Sequence, residues 1–275
     1  MQDQTIGFIG GGNMARSLVG GLIADGVPAE NIRVADPGDP ARHELTAEFA
    51  VATQRDNAGM ASCDVLVLAV KPQILHTVLE ELADELREHR PLVISVAAGA
   101  RLVSLTRWMG DDTLPLVRAM PNTPALVQSA ATGLCANAVV TDEQRALAEA
   151  VLRAVGITLW VEDESLLDAV TAISGSGPAY FFLFMEALEE AGERMGLNHE
   201  QAQRLAVQTA FGAARMALES PDDPAELRRG VTSPGGTTER ALEVFDSGNL
   251  RALVAEATEA ARARADELAN LLDEH

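Results

Sequence analysis

The stretch Thr5–Ala15, TIGFIGGGNMA, decides the fold. A short apolar run leads directly into Gly10-x-Gly12-x-x-Ala15, and a helical pattern follows without a gap. In a strand–turn–helix, Gly10 permits the tight turn, Gly12 lets the backbone approach a pyrophosphate, and small Ala15 lets helix pack on strand. The unpaired N–H groups at the helix start then face the phosphates. A bare glycine pattern is unspecific, because a structural turn uses the same residues. The strand before it and the helix after it make this one a dinucleotide-binding signal.

Outward from this stretch the same rhythm repeats. The runs NIRVAD (31–36), DVLVLAV (64–70) and PLVISVA (91–97) alternate with helical patterns over Met14–Asp25, Pro40–Phe49 and Ile74–His89. Short Val/Ile-rich runs bounded by Gly, Pro and Asp read as buried parallel strands joined by helices. The expected fold class is therefore α/β, a Rossmann-type doubly wound sheet. Weaker strand signals at LPLVRAM (114–120), ATGLCAN (131–137) and GITLWVE (156–162) extend the sheet, giving a first domain over residues 1–162.

From residue 163 to 275 the apolar residues recur at helical spacing, so the second domain is expected to be all helix. Phe181, Phe184, Met185, Leu188 and Met195, then Leu205, Ala206, Thr209, Ala213 and Met216, read as core stripes. Leu250, Leu253, Val254, Ala257, Ala261, Leu268 and Leu271 form one broad face whose alanines allow close helix approach. Such a half is expected to pair with its copy from a second chain.

Composition excludes several classes. The 275 residues carry a formal net charge of -20, which repels phosphate backbones, and the arginines form no basic stripe. Nucleic acid is not an expected partner. No run approaches the roughly 20 consecutive apolar residues that span a bilayer, and TIGFIG follows the start without a basic leader. The expectation is a soluble cytoplasmic protein with no membrane partner. Cys63 and Cys135 are isolated, without CxxC or a His cluster, so neither a disulfide framework nor a metal site is expected.

The crevice residues come next. Asp36 follows Gly10 by 26 residues, slightly later than the usual acidic position at the end of the second strand. It either accepts from a ribose 2′-OH, which favours NADH, or turns outward while Arg33 or Arg42 holds the 2′-phosphate of NADPH. Both readings stand at this level. Lys71 is the only lysine in a chain whose other basic residues of that kind are all arginine, and it closes the run DVLVLAV at a strand's carboxyl end. SVAAGA (95–100) and AMPNTPA (119–125) also follow apolar runs, so three strand ends converge where ligands bind in open α/β sheets. A compact ammonium there suits the ribose or an anionic substrate differently from a planar guanidinium.

In the helical half, SGSGPAY (174–180) and VTSPGGTTERA (231–241) read as breaks rich in Gly and Ser/Thr. Successive N–H groups in such turns make an anion nest, strengthened by the helix starting near Thr237 or Thr238. An interhelical turn with a Ser/Thr cap is the alternative for each.

At this point the chain resembles the pyrroline-5-carboxylate reductase family. IGFIGGGNMA, LAVKPQ, SVAAGA, RAMPNTPAL, LDAVTAISGSGPAYFF and VTSPGGTTERAL occur in that family's order and spacing. The resemblance implies a Rossmann domain, an interlocking helical domain, homodimers and a possible decamer of five dimers. It implies reduction of 1-pyrroline-5-carboxylate to L-proline with NADPH or NADH. Carried over residue by residue, cofactor contacts fall on Ile9, Gly10, Gly11, Gly12, Asn13 and Met14, on Asp36, Pro37 and Asn57, on Ala69, Val70, Lys71 and Pro72, and on Ala97 and Ala98. Substrate contacts fall on Val231, Ser233, Gly235, Gly236, Thr237 and Thr238, with Glu164 as a neighbour. Two positions depart from the pattern: Gly230 stands where some members have Asn, and Asp36 where NADPH-preferring members often have Ser or Thr. Both bear on coenzyme preference rather than on the reaction.

The implied reaction delivers hydride to the C=N carbon of a cyclic imine while its nitrogen gains a proton. Thr238 is the expected hydrogen-bond partner of that nitrogen, and Lys71 the other candidate catalytic residue. His43, His76, His89, His199 and His275 lie outside the motifs, so a histidine acid is not expected. A β-hydroxyacid dehydrogenase or another imine reductase, with Lys71 as base, is the nearer rival reading, and a non-catalytic nicotinamide-binding protein the more distant one.

Overall fold

The computed structural model describes Met1 and residues 3–273, so His275 lies outside the described residues. Eight strands form one sheet: β1 (Ile6–Ile9), β2 (Ile32–Ala35), β3 (Ala52–Gln54), β4 (Val65–Leu68), β5 (Leu92–Ser95), β6 (Leu116–Met120), β7 (Ala130–Ala136) and β8 (Gly156–Trp160). Their order is β3-β2-β1-β4-β5-β6-β7-β8, parallel throughout except between β6 and β7. The Rossmann-type expectation holds. Strand β3 was not anticipated, because ATQ at the sheet edge is partly exposed and lacks the apolar run that marks a buried strand.

Strands β1, β4 and β5 are buried at every residue, as strands covered on both faces must be. Their side chains divide with period two. Ile6, Phe8, Val65, Val67, Leu92 and Ile94 join one core, packed by Ala15, Leu18, Val19 and Leu22 of α1 (Asn13–Ala24). The helix α2 (Asp39–Phe49) adds Leu45 to that core. Ile9, Leu66, Leu68 and Val93 join the other, packed by Leu75, Leu79, Leu82 and Leu86 of α3 (Pro72–His89) and by Leu105, Trp108 and Met109 of α4 (Leu102–Met109). The helix α5 (Asp142–Arg153) opens with a capping box from Thr141 and Gln144 and returns to the first core through Ala148, Val151 and Leu152. Cys63 and Cys135 are free and buried, and burial pushes both thiols up.

The chain separates into two units, one made of Met1–Ser176 with the chain from Ala261 onward, the other of Gly177–Ala260. The first unit thus runs past the expected boundary at residue 162. It takes in α6 (Leu166–Val170), whose Leu167 and Val170 lie where a Cβ on Gly133 of β7 would sit. It also takes in a five-residue π-helical turn, Thr171–Gly175, closed by Ser176 N–H donating to Thr171 O at 2.8 Å. SGSGPAY is therefore not a break. The π turn runs on into α7 (Gly177–Arg194), and the helical stretch Leu166–Arg194 is long and apolar enough, by length and composition, to cross a membrane.

The second unit contains α7, then α8 (His199–Glu219), α9 (Pro224–Gly230), α10 (Thr237–Ser247) and the beginning of α11 (Leu250–Asp273). Helices α7 and α8 approach closely where a Cβ on Gly192 would meet that of Ala202 at 3.1 Å. Only Gly177, Gly192, Ala202 and Ala206 are buried in this unit. Apart from Ala206, the stripes read as core are largely exposed: Phe181 is 67 % exposed, Met195 79 % and Leu205 58 %. A unit of so few layers has nothing of its own to cover them.

Candidate functional site

Strand register sets the first half of the site. Ile9 pairs with Ala35 on one side and Leu68 on the other, and Leu68 pairs with Ser95. The chain therefore leaves β1, β2, β4 and β5 at one level, placing Gly10, Asp36, Ala69 and Val96 side by side. Bonds one residue further on hold them there: Gly10 N–H to Ala35 O at 2.8 Å, Ala69 N–H to Ile9 O at 2.8 Å, and Val96 N–H to Leu68 O at 3.1 Å. Asn57 follows β3 at the same edge. The sequence-predicted cofactor residues thus lie at the strand ends, loops and helix starts of one carboxyl edge.

The glycine loop fits a dinucleotide. Gly10 has φ +96, and a Cβ there would stand 2.6 Å from Ala69 O, so the turn and the β1–β4 contact both require glycine. A Cβ on Gly12 would meet nothing within 4 Å, which means its open face is turned away from the protein, where a ligand's phosphates approach. Gly12 is also the N-cap of α1, and no side chain caps that helix start.

Asp36 faces this loop. Its Oδ2 accepts from Gly11 N–H at 2.7 Å and its Oδ1 from Gly38 N–H at 2.7 Å. Arg42 donates to the backbone oxygen of Asp36 and to the carboxylate of Asp39. Lys71 is exposed at the N-cap of α3, followed by Pro72 at the first helical position. Pro72 and Ala98 also line a cavity of about 460 Å³, with Arg118 and Asp168 on its wall and Leu268, Leu271 and Leu272 of α11 opposite.

Arg118 is a feature that sequence reasoning missed. It is buried in β6, with its Nη1 donating to Glu164 Oε1 at 2.8 Å and Nη2 at 3.9 Å from Asp168. The signal was available, since one arginine interrupts the apolar run LPLVRAM. Glu164, carried over as a substrate neighbour, also accepts from Leu102 N–H at 2.7 Å and so fixes the start of α4. Burial pushes the Asp168 carboxyl up, against the pull of Arg118.

Next to it, Arg101 donates to Asp266 at 2.7 Å, to Asn270 at 2.8 Å and to Asp273 at 2.6 Å. Ser104 and Arg107 bind Asp273 as well. Gly99, at φ +80, lies against Leu272. The end of α11 is thereby clamped onto the loop that carries Ala97 and Ala98.

The second unit holds the remaining candidates. Ser233–Gly236 is a turn closed by Gly236 N–H to Ser233 O at 3.0 Å, with Pro234 at its second position and Gly235 at φ +71 in its third. Gly236 is then the N-cap of α10, with Thr237 and Thr238 as its first residues and no side-chain cap. Glu239 folds back, its Oε2 accepting from Gly235 N–H at 2.7 Å. Gly235 and Gly236 N–H are thus engaged within the turn, and the donors left at the helix start are those of Thr237, Thr238 and Glu239. Val231 and Ser233 are exposed beside them. Sequence reasoning missed Glu239, although a Glu three residues after an N-cap is the usual sign of such a return.

None of the described histidines lies at these loops by sequence position. His199 pairs with Glu193 and His76 with Glu80, while His43 and His89 are exposed.

Comparison with known proteins agrees with this geometry. The family described as "Pyrroline-5-carboxylate reductase dimerisation" matches residues 164–268, and that described as "NADP oxidoreductase coenzyme F420-dependent" matches residues 5–99. The chain is 52 % identical over 273 residues to a pyrroline-5-carboxylate reductase of Pseudomonas aeruginosa, covering 99 % of each. It is similar to the solved pyrroline-5-carboxylate reductase of Coxiella burnetii, with TM-score 0.93, 49 % identity and coverage of 96 % of this chain and 98 % of that one. The Plasmodium falciparum pyrroline carboxylate reductase, solved with NADP bound, gives TM-score 0.84 and 30 % identity over 98 % and 99 % of the two chains. With its glycine loop, its helical second unit and similarity over essentially its full length, the chain belongs to the pyrroline-5-carboxylate reductase family.

Proposed function

We propose that the chain reduces 1-pyrroline-5-carboxylate to L-proline with reduced nicotinamide coenzyme, the first unit binding the coenzyme and the turn before α10 binding the substrate. The reduced nicotinamide, when bound, supplies the hydride. Gly10 to Met14 receive the pyrophosphate on the open face of the loop, and Asp36 and Pro37 border the adenosine ribose. Asn57, Ala69 to Pro72, and Ala97 and Ala98 line the rest of that edge. Lys71, exposed and compact, offers donors to the ribose or to the substrate's charge.

The observation that carries the substrate half is the start of α10. A type II turn leads into three free backbone N–H groups, from Thr237, Thr238 and Glu239, at the positive end of a helix. They hold the substrate carboxylate, with Val231, Ser233, Gly235 and Gly236 shaping the turn around it. Thr238 Oγ1 forms the hydrogen bond to the ring nitrogen, which favours the protonated, more electrophilic C=N and fixes the ring for attack. Water or the substrate's own protonated form supplies the proton. Thr238→Ala is expected to lower kcat/KM by about 1–3 kcal/mol of transition-state binding, or roughly 5- to 150-fold, in assays following loss of reduced-nicotinamide absorbance. Unchanged kcat/KM would reduce Thr238 to a residue of the helix start, and no turnover in the wild type would remove the reaction.

The exposed Phe, Met and Leu stripes of α7 and α8 support assembly through the second unit. They are also the reason for the apolar character of Leu166–Arg194, without recourse to a bilayer. The chain forms a homodimer in this reading, with a decamer of five dimers as the larger assembly, in a cytoplasmic setting. Sedimentation at micromolar concentration is expected to give a dimer or a multiple of it. A monomer alone would reject the assembly.

A further inference from the structure

We infer that Asp36 makes this chain selective for NADH over NADPH, an inference that rests on the coenzyme lying along the glycine loop. Both oxygens of its carboxylate are tied to backbone: Oδ2 to Gly11 N–H and Oδ1 to Gly38 N–H, each at 2.7 Å. Turning the side chain away would break two charge-assisted hydrogen bonds. The carboxylate is therefore fixed toward the loop, and each oxygen retains a lone pair able to accept from a ribose 2′-OH. A 2′-phosphate has the opposite requirements, needing donors and positive charge.

Of the cations nearby, Arg42 and Arg33 do not meet that need, and Arg55, exposed immediately after Gln54, whose backbone oxygen accepts from Asp36 N–H, is the one placed to reach a 2′-phosphate. Arg42 is committed to the backbone oxygen of Asp36 and to the Asp39 carboxylate. Arg33 lies within β2, registered with Gly7 and close enough to Cys63 to act on it, and so is set back from the carboxyl edge. The start of α2 would by itself attract an anion, but Asp36 and Asp39 already face it.

Calorimetric titration of the purified protein with NADH and with NADPH tests this directly. The wild type is expected to bind NADH at least about tenfold more tightly, with the same order in kcat/KM. Asp36→Ser, which removes the charge and leaves a small hydroxyl, is expected to shift the ratio of the two dissociation constants toward NADPH by about tenfold or more. Asp36→Asn keeps an acceptor for one backbone N–H and is expected to shift it in the same direction. Equal or tighter NADPH binding by the wild type would overturn the inference and leave the coenzyme site standing. So would an unmoved ratio in variants that bind both coenzymes. Binding of neither by the wild type would overturn the site as well.

Discussion

Glu164→Ala is expected to cost about 3–5 kcal/mol of unfolding free energy, because it leaves the buried Arg118 guanidinium with one distant partner. Arg118 has a side chain 4 % exposed, against 24 % for Glu164, so water can stand in for the lost carboxylate only by way of the cavity that Arg118 lines. Asp168 stands 3.9 Å from the other guanidinium nitrogen and offsets part of the loss, which places the expected value toward the lower end. The same change frees Leu102 N–H at the start of α4, adding about 1 kcal/mol. Glu164→Gln, which keeps an acceptor but no charge, should fall between. Arg118→Met combined with Glu164→Leu should recover much of the stability, since apolar side chains of similar volume often replace a buried pair without loss. Urea unfolding at a fixed protomer concentration reads all three, the fixed concentration being needed for an assembling chain. A Glu164→Ala cost under about 1 kcal/mol would show the pair to be solvated, contrary to its burial.

The second large effect belongs to Gly10. With φ +96 and only 2.6 Å between a built Cβ and Ala69 O, Gly10→Ala meets two penalties at once. Backbone strain contributes about 1–3 kcal/mol and the forced separation of β1 from the end of β4 about 1–3 more. The expected loss of stability is therefore about 2–6 kcal/mol. Coenzyme binding should weaken by about a hundredfold or more as the loop shifts. Gly12→Ala separates the two effects. Its Cβ meets no protein atom within 4 Å, so stability should change by under about 1 kcal/mol while coenzyme affinity still falls. Thermal unfolding and coenzyme titration on both variants check this. Equal stability of the two would contradict the contact at Ala69.

Why the glycine loop was legible and other parts were not follows from what each residue answers to. Parallel strands buried on both faces leave continuous apolar runs, so β1, β4 and β5, and β2 despite its exposed Arg33, could be read directly together with the loops after them. Strand β3 answers mainly to its neighbour β2, through backbone bonds that ATQ does not advertise. The π turn at Thr171–Gly175 keeps helical periodicity while its Gly and Ser content imitates a break. Glycine serves another purpose there: a Cβ on Gly175 would strike Met120 at 2.7 Å. The stripes of α7 and α8 show that a face is apolar, but periodicity carries no word on which surface covers it. Arg118 and Glu164 stand 46 residues apart, and only the sheet order brings them together. Asp36 was legible as a candidate, but its direction depends on Gly11 and Gly38 and so on a folded loop.

The clamp on the end of α11 also has a bearing on synthesis. One helix begins in the second unit and ends in the first, so the nucleotide-binding unit is not contiguous in the chain. During translation, at about 5–20 residues per second, the sheet and its loops emerge seconds before Asp266, Asn270 and Asp273 do. Throughout that interval Arg101, Ser104 and Arg107 face solvent, and Gly99 lacks the leucine that lies against it in the finished chain. The first domain to be made is the last to be completed.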